Sequence, residues 1–390
     1  MIPLMNTSRQ YESIQEELDA KVLSILHSGQ YIMGKEVTSF ESEFAEYIGT
    51  KYAIGVGNGT DALVIALMAA GVEEGDEVIT TAMSFFSTAE AIAVVGAKPV
   101  FVDCTVDTYT LDPLKIEEKV TVRTKAIIPV HIYGQCVEME AVNVIAKKYG
   151  LVVIEDAAQA AGAVYKGKKA GSLGDIGCVS FFPTKNLGCA GDGGIIVTNK
   201  KDFYKKCAAY RVHGSGDNGR YAYCKLKGIR YDDTEFDYQG HLPKYFNYVI
   251  GFNSRLDALQ AGILSVKLQY LDKWNERRRA YAEEYDHKIQ NPLVIKPVCS
   301  SACKHIYYVY VICVEERERF RKYMETRGIA TGVYFPIPLH LQQVFENLGY
   351  KKGDMPNAEY LGDHGVALPM FPEMTDSERQ VVIEAVNQFE

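Results

Sequence analysis

The chain has 390 residues, 47% hydrophobic and 24% charged, enough for a large core and two lobes, with no stretch disordered on composition. Its 42 Lys and Arg against 50 Asp and Glu give a formal net charge of −8 with no polybasic run, which argues against a nucleic-acid surface. The N-terminus MIPLMNTSRQ lacks a basic stretch followed by an apolar one, and no segment approaches membrane-spanning length, so a protein working in the cytoplasm, away from membranes, is expected.

Between about residues 50 and 200, strand-like apolar runs fall at 52–56, 77–80, 99–104, 126–131, 151–156, 178–182 and 194–199. Helical patterns such as DALVIALMAAG, TAEAIAVVG and MEAVNVIAKKYG separate them. That alternation predicts an α/β fold with a mostly parallel seven-stranded sheet covered on both faces. Residues 214–250 hold Tyr221, Tyr223, Tyr231, Tyr238, Tyr245 and Tyr248 without a period, and read as a long ordered loop or hairpin that covers the active site or meets a partner. Residues 255–290 read as one long helix or a kinked pair. Beyond them, 307–314 alternates like a strand, RERFRKYMETRG is a helix stopped by Gly328, and 376–389 is a last amphipathic helix. The expected division is a large lobe over 1–250 and a smaller C-terminal α+β lobe over 251–390. The cysteines number nine, an odd count without a CxxC pair; they read as reduced thiols, and the nearest pair, Cys299 and Cys303, lacks the histidines a metal site would need.

The chemistry concentrates on two residues. Lys185, in SFFPTKNLGCAGDGG, follows a buried apolar strand in a loop of small residues, a suitable place for an amine that anchors an aldehyde cofactor covalently. Asp156, in VVIEDAAQA, ends another strand, where a carboxylate can keep a pyridine nitrogen protonated. Together they describe a pyridoxal phosphate site. Gly57, Asn58, Gly59 and Thr60 immediately precede a helix whose free N–H groups can hold the phosphate. In MSFFSTAEA, Phe85 is the aromatic expected against one face of the ring. Gln159, one turn after Asp156, can hydrogen-bond the ring hydroxyl, and Ser180 can reach the phosphate.

With these in place the chain resembles the sugar aminotransferases of the DegT/DnrJ/StrS type, which are fold type I pyridoxal phosphate enzymes. The likeness runs through GNGTDAL, EDAAQA, SFFPTKNLG with GDGG, RVHG, GFNSRLDALQA and PIPLHLQ, in the family's order over nearly the whole chain. It implies a homodimer with active sites at the subunit interface, Lys185 as the cofactor anchor, Asp156 at the pyridine nitrogen, Gln159 at the ring hydroxyl and Phe85 on the ring. Gly59, Thr60 and Ser180 would hold the phosphate, with Asn253 reaching over from the partner. Dehydratase relatives replace the lysine by histidine, so retention of Lys185 points to transamination. The nearest subgroup acts on nucleotide-linked 3-keto sugars, and by that resemblance Gly29, Tyr31, Thr184, Arg255, Tyr334 and Phe335 line the sugar-nucleotide site. Two departures fall on the substrate side: the 214–250 stretch is longer than the subgroup's by about twenty residues, and Tyr334 stands where uronate-specific members carry a histidine.

The expected reaction passes an amino group from a donor, glutamate, to a keto group of a nucleotide-linked hexose, at C3. A C4-keto acceptor bound in the opposite sense uses the same machinery. A regulatory or scaffold homologue without turnover is the alternative of another class; the retention of Lys185, Asp156 and Gln159 together argues against it.

Overall fold

The computed structural model describes residues 1–232 and 245–390. Seven strands form the main sheet: β1 (Tyr52–Val56), β2 (Glu77–Thr81), β3 (Lys98–Val102), β4 (Thr124–Ile128), β5 (Val152–Asp156), β6 (Ile176–Ser180) and β7 (Gly194–Thr198). Their spatial order is β1-β7-β6-β5-β4-β2-β3, and only β7 runs against the others, pairing antiparallel with β1 and with β6. The strands read almost continuously apolar because both faces are covered. Ile79, Ile127, Val153, Val179 and Val197 face the cluster that includes Phe40, Phe44 and Val142, while Val78, Ile128, Ile154, Cys178 and Ile196 face the helix Gly59–Ala69. The predicted sheet is therefore the observed one, with strand ends shifted by up to three residues.

Parallel connectivity gathers the C-terminal ends of β1, β2, β5 and β6 at one edge, and the segments that follow them carry Asn58–Thr60, Phe85, Asp156–Gln159 and Ser180–Lys185. Local chemistry sets each segment. The helix Gly59–Ala69 starts where the Asn58 side chain accepts from the Asp61 N–H at 2.8 Å. The loop around Lys185 is tight: a Cβ on Gly188 would lie 2.4 Å from the Pro183 carbonyl oxygen, so only glycine fits. Two buried donors pin that loop from below, Asn186 Nδ2 to Asn275 Oδ1 at 2.6 Å and Lys267 Nζ to the Gly188 carbonyl at 2.8 Å.

The predicted long helix is a kinked pair, Ala258–Leu268 and Leu271–Lys288. The first packs Ala261 and Leu264 into the core of the large sheet, and the second carries Ala282 and Tyr285 into the smaller core. That smaller core covers an antiparallel sheet, β8 (Val294–Ile295), β9 (Tyr310–Val314) and β10 (Gly365–Leu368), in the order β8-β9-β10. Helices Arg317–Thr326 and Asp376–Asn387 pack on it, the latter opened by a capping box of Thr375 and Glu378. The N-terminus joins this end of the molecule, with Ile2 bridging in parallel to Ile329.

One expectation needs correction. Within 214–250, Gly216–Lys227 is a helix, not a loop or hairpin strand. Its glycines, Asn and Asp make it a poor helix former by propensity. Packing supplies what propensity lacks: Tyr221 lies edge-on to Tyr231 at 5.0 Å, Lys205 of the helix Lys201–Tyr210 sits over both rings, and the Tyr221 hydroxyl donates to Asp202 at 2.8 Å. Tyr238 lies outside the described residues.

Candidate active site

A cavity of about 730 Å³ opens at the C-terminal edge of the sheet, and Gly59, Thr60, Phe85, Gln159, Ser180, Thr184, Lys185, Tyr334 and Phe335 all line it. Nine of the residues predicted for the site thus converge from five separate segments. Asp156, at the end of β5 and three residues before Gln159, is not on the lining itself and is 6% exposed. Its Oδ2 accepts from the Thr88 hydroxyl at 2.7 Å and its Oδ1 from the Ala158 N–H at 3.2 Å. A carboxylate can accept about four hydrogen bonds, and among the described residues no cation pairs with this one. A buried carboxylate left with spare acceptor capacity and no cation fits a protonated ring nitrogen.

The other groups fit the same occupant. Gly59 and Thr60 occupy the first turn of their helix, where backbone N–H groups have no partner within the helix. A Cβ on Gly59 would come 2.7 Å from Ser180 Cβ, so the glycine lets the helix start and the serine meet in one anion-sized cradle. Thr60 Oγ1 and Ser87 Oγ are 2.7 Å apart on its rim. Gln159 accepts the Tyr133 N–H on Oε1 at 2.7 Å, which leaves its NH₂ for the cavity. Phe85 is 56% exposed with its ring 5.7 Å from that of Phe335, whereas Phe86 packs against Phe345. Of the two adjacent phenylalanines, Phe85 is the one presented to a ligand. Lys185 has no carboxylate partner among the described residues, and its Nζ lies 4.3 Å from the centre of the Tyr308 ring.

Besides Asp156, four predicted residues do not line this cavity. Gly29 closes the helix Gln15–Ser28 in a left-handed conformation at φ +67°, and Tyr31, 44% exposed, offers its carbonyl to the Ala258 N–H at 2.8 Å. Ile32 bridges to Asp257 beside them. Asn253 and Arg255 flank Ser254, whose hydroxyl donates to Asp61 at 2.6 Å and accepts the Gly57 N–H at 3.0 Å. Asn253 is exposed, and among the described residues Arg255 has no ion-pair partner, so it is not held by a salt bridge at the start of its helix. Tyr31 thus meets the start of the helix Ala258–Leu268, while Asn253 and Arg255 adjoin the Gly59 helix start through Ser254.

Sequence reasoning missed two residues that matter here. Thr88 is fully buried and bridges Ser84 to Asp156. It sits one turn beyond Phe85 in the same motif, so its position was legible though its partner was not. Tyr308 lines the cavity, with its hydroxyl 3.4 Å from that of Thr184. Its place in an alternating run gave no sign of which tyrosine would face a ligand.

The model of the DegT/DnrJ/EryC1/StrS aminotransferase family matches residues 12–387. A pleiotropic regulatory protein of Geobacillus stearothermophilus is 46% identical over 100% of this chain and 98% of its own. A dTDP-3-amino-3,6-dideoxy-α-D-galactopyranose transaminase of Aneurinibacillus thermoaerophilus is 42% identical over 100% of this chain and 99% of its own. The solved structure of S. venezuelae DesV superposes with a TM-score of 0.91 at 35% identity, covering 99% of this chain and 98% of that one.

Proposed function

Because this chain belongs to the DegT/DnrJ/EryC1/StrS aminotransferase family, and is thereby a pyridoxal-phosphate-dependent aminotransferase, we propose that it converts the C3 keto group of a nucleotide-linked hexose to an amine. The observation that carries this reading is the convergence of Lys185, Gln159, Phe85 and the Gly59–Thr60 helix start on one cavity, together with the buried carboxylate of Asp156, three residues before Gln159 and without a cation among the described residues. The relative named as a 3-amino sugar transaminase supports the position and the substrate class. Another relative carries a regulatory name, but Lys185 unpaired in a ligand-sized cavity serves turnover, and a scaffold has no use for it.

When bound, pyridoxal phosphate supplies an electron sink for the pair of electrons left on carbon when a proton is removed. The protein does the rest. Asp156, oriented by Thr88 and the Ala158 N–H, holds a proton on the ring nitrogen and so keeps the sink effective. Gln159 donates to the ring hydroxyl, Phe85 covers one face, and Gly59, Thr60 and Ser180 hold the phosphate. Lys185 Nζ would anchor the cofactor covalently and, as a free amine, would take a proton from the substrate carbon and return one as general base and then acid. Thr184, Tyr334 and Phe335 meet the acceptor sugar. The burial that raises the Tyr334 phenol keeps its hydroxyl protonated as a donor.

Glutamate is the proposed donor and the cytoplasm the proposed setting; no helix among the described residues is long and apolar enough to cross a membrane. The proposed assembly is a homodimer in which Gly29, Tyr31, Asn253 and Arg255 complete the partner's cavity, with Arg255 on a diphosphate or carboxylate. The proposed lobes divide near residue 250, with the kinked helix pair as the joint between them.

Two experiments test this. Incubation of the holoenzyme with glutamate and purified 3-keto or 4-keto nucleotide sugars, read by mass spectrometry, gives an aminated product from the 3-keto compound; amination of the 4-keto compound alone overturns the position. Mixing Lys185→Ala and Arg255→Ala chains restores about a quarter of the sites in a randomly assembled dimer. Mixtures no more active than either parent rule out the shared site.

A further inference from the structure

β4 lies between β5 and β2, parallel to both, so the segment after it, PVHIYGQC at 129–136, leaves the sheet between two strand ends that carry cavity residues. None of its own residues is on the lining, yet Tyr133 is bonded to three that are. Its N–H donates to Gln159 Oε1 at 2.7 Å, its carbonyl accepts the Tyr308 N–H at 2.8 Å, and its hydroxyl donates to the Tyr334 carbonyl. Gln159 follows Asp156 on the cofactor side, whereas Tyr308 and Tyr334 come from the chain beyond the kinked helix pair. One residue thus touches both sides of the cavity from behind.

Tyr133 is itself firmly held. It is 4% exposed, its ring lies edge-on to that of Tyr109 at 6.4 Å, and its backbone is left-handed at φ +58°, where a bulky residue is uncommon. Such a backbone persists only where the surroundings over-determine it, and the three bonds do so. Gly134 lets the two segments meet this closely: a Cβ there would lie 2.8 Å from Ile306 Cγ1 and 3.1 Å from the backbone nitrogens of Tyr307 and Tyr308. Burial pushes the Tyr133 phenol well above its ordinary value, so the hydroxyl stays a donor.

We propose that Tyr133 is a positioning residue for the acceptor: its hydroxyl and carbonyl set the wall of Tyr334 and Tyr308 against the cofactor side, where its N–H holds Gln159. The inference rests on the proposed reading of Tyr334 as an acceptor contact, and adds the residue that places it. The hydroxyl is the separable part. Without it the Tyr334 backbone loses its anchor, while the two main-chain bonds of Tyr133, and Gln159 with them, stay in place. Acceptor binding and cofactor chemistry should therefore respond differently to its loss.

The test is Tyr133→Phe, which keeps the ring and removes only the donor. Beside it stands Tyr109→Phe, which removes a neighbouring buried hydroxyl whose contact is Cys313 Sγ, off the cavity lining. With the holoenzyme, glutamate and a 3-keto nucleotide sugar, Tyr133→Phe raises the acceptor KM by about tenfold, while the rate at which glutamate bleaches the cofactor band stays within about twofold of wild type. Tyr109→Phe moves neither. An acceptor KM unmoved in Tyr133→Phe, or raised equally in both variants, overturns the proposal. So does a parallel loss of both half-reactions, or a Tyr133→Phe chain that no longer folds, since either assigns the hydroxyl to the core alone. If the wild-type enzyme aminates no keto sugar while glutamate still bleaches the band, the acceptor reading itself falls, and this inference with it.

Discussion

The two sides of the cavity are built differently. The cofactor side comes from the C-terminal ends of β1, β2, β5 and β6, and three of these ends carry short local motifs: Asn58 with Gly59 and Thr60, Asp156 with Gln159, and Lys185 with Gly188. The side proposed to meet the acceptor adjoins a chamber that joins Leu4 and Met5 from the N-terminus to Thr184, Tyr308, Tyr334, Leu368 and Met370, segments separated by nearly the length of the chain. A sheet that fixes the first side needs nothing from the second. The reaction can therefore stay constant while the substrate changes, because only loops and the small lobe must be altered.

The comparison makes graded predictions. Lys185→Ala removes the residue on which both sides depend, and should lower kcat by on the order of 10⁴-fold or more while circular dichroism and the unfolding midpoint remain close to wild type. Retained turnover would mean that the proton is moved from elsewhere. Next in size come changes confined to the cofactor side. Asp156→Asn should cost about 10²–10³-fold in kcat, and Thr88→Val, which removes the 2.7 Å bond to Asp156, about tenfold with acceptor KM unchanged. Should Thr88→Val raise the acceptor KM instead, the separation of the two sides fails.

The smallest effect concerns the frame of the acceptor side. Arg9 makes a bidentate pair with Glu378, at 2.8 Å on each nitrogen, tying the N-terminal segment to the last helix just beyond Leu4 and Met5. The pair holds the Glu378 carboxyl down to about 2, chiefly through the Arg9 hydrogen bonds. A carboxyl depressed in the folded state adds stability that is complete above its unfolded value of about 4.3 and is lost as pH falls toward 2. Arg9→Ala should thus cost about 0.5–1 kcal/mol at pH 7, allowing for the partial exposure of Arg9, and less at pH 3, in denaturant titrations at the two pH values. An equal cost at both would show that packing of the arginine stem, not its charge, is what matters.

Legibility followed the same line. The seven strands were readable because strands buried on both faces are apolar along their whole length, and the helix start at Gly59–Thr60 because glycine before a helix has a local meaning. The helix Gly216–Lys227 was not readable: its own residues disfavour it, and contacts with Lys205 and Asp202 decide it. Thr88 could be located within its motif, but its bond to Asp156 crosses from the end of β2 to the end of β5. Tyr308 carried no signal, since alternation marks a strand without saying which face meets a ligand.

By itself, then, the sequence determined the α/β sheet, the family and with it the pyridoxal phosphate cofactor, because those depend on periodicity and on short motifs that act within one turn or loop. Only the tertiary structure decided which of Phe85 and Phe86 faces the cavity, that Gly29, Tyr31, Asn253 and Arg255 lie off its lining, and that a second, uncharged chamber adjoins it. Each of these follows from packing between segments remote in the chain, and pairing at a distance leaves no local pattern to read.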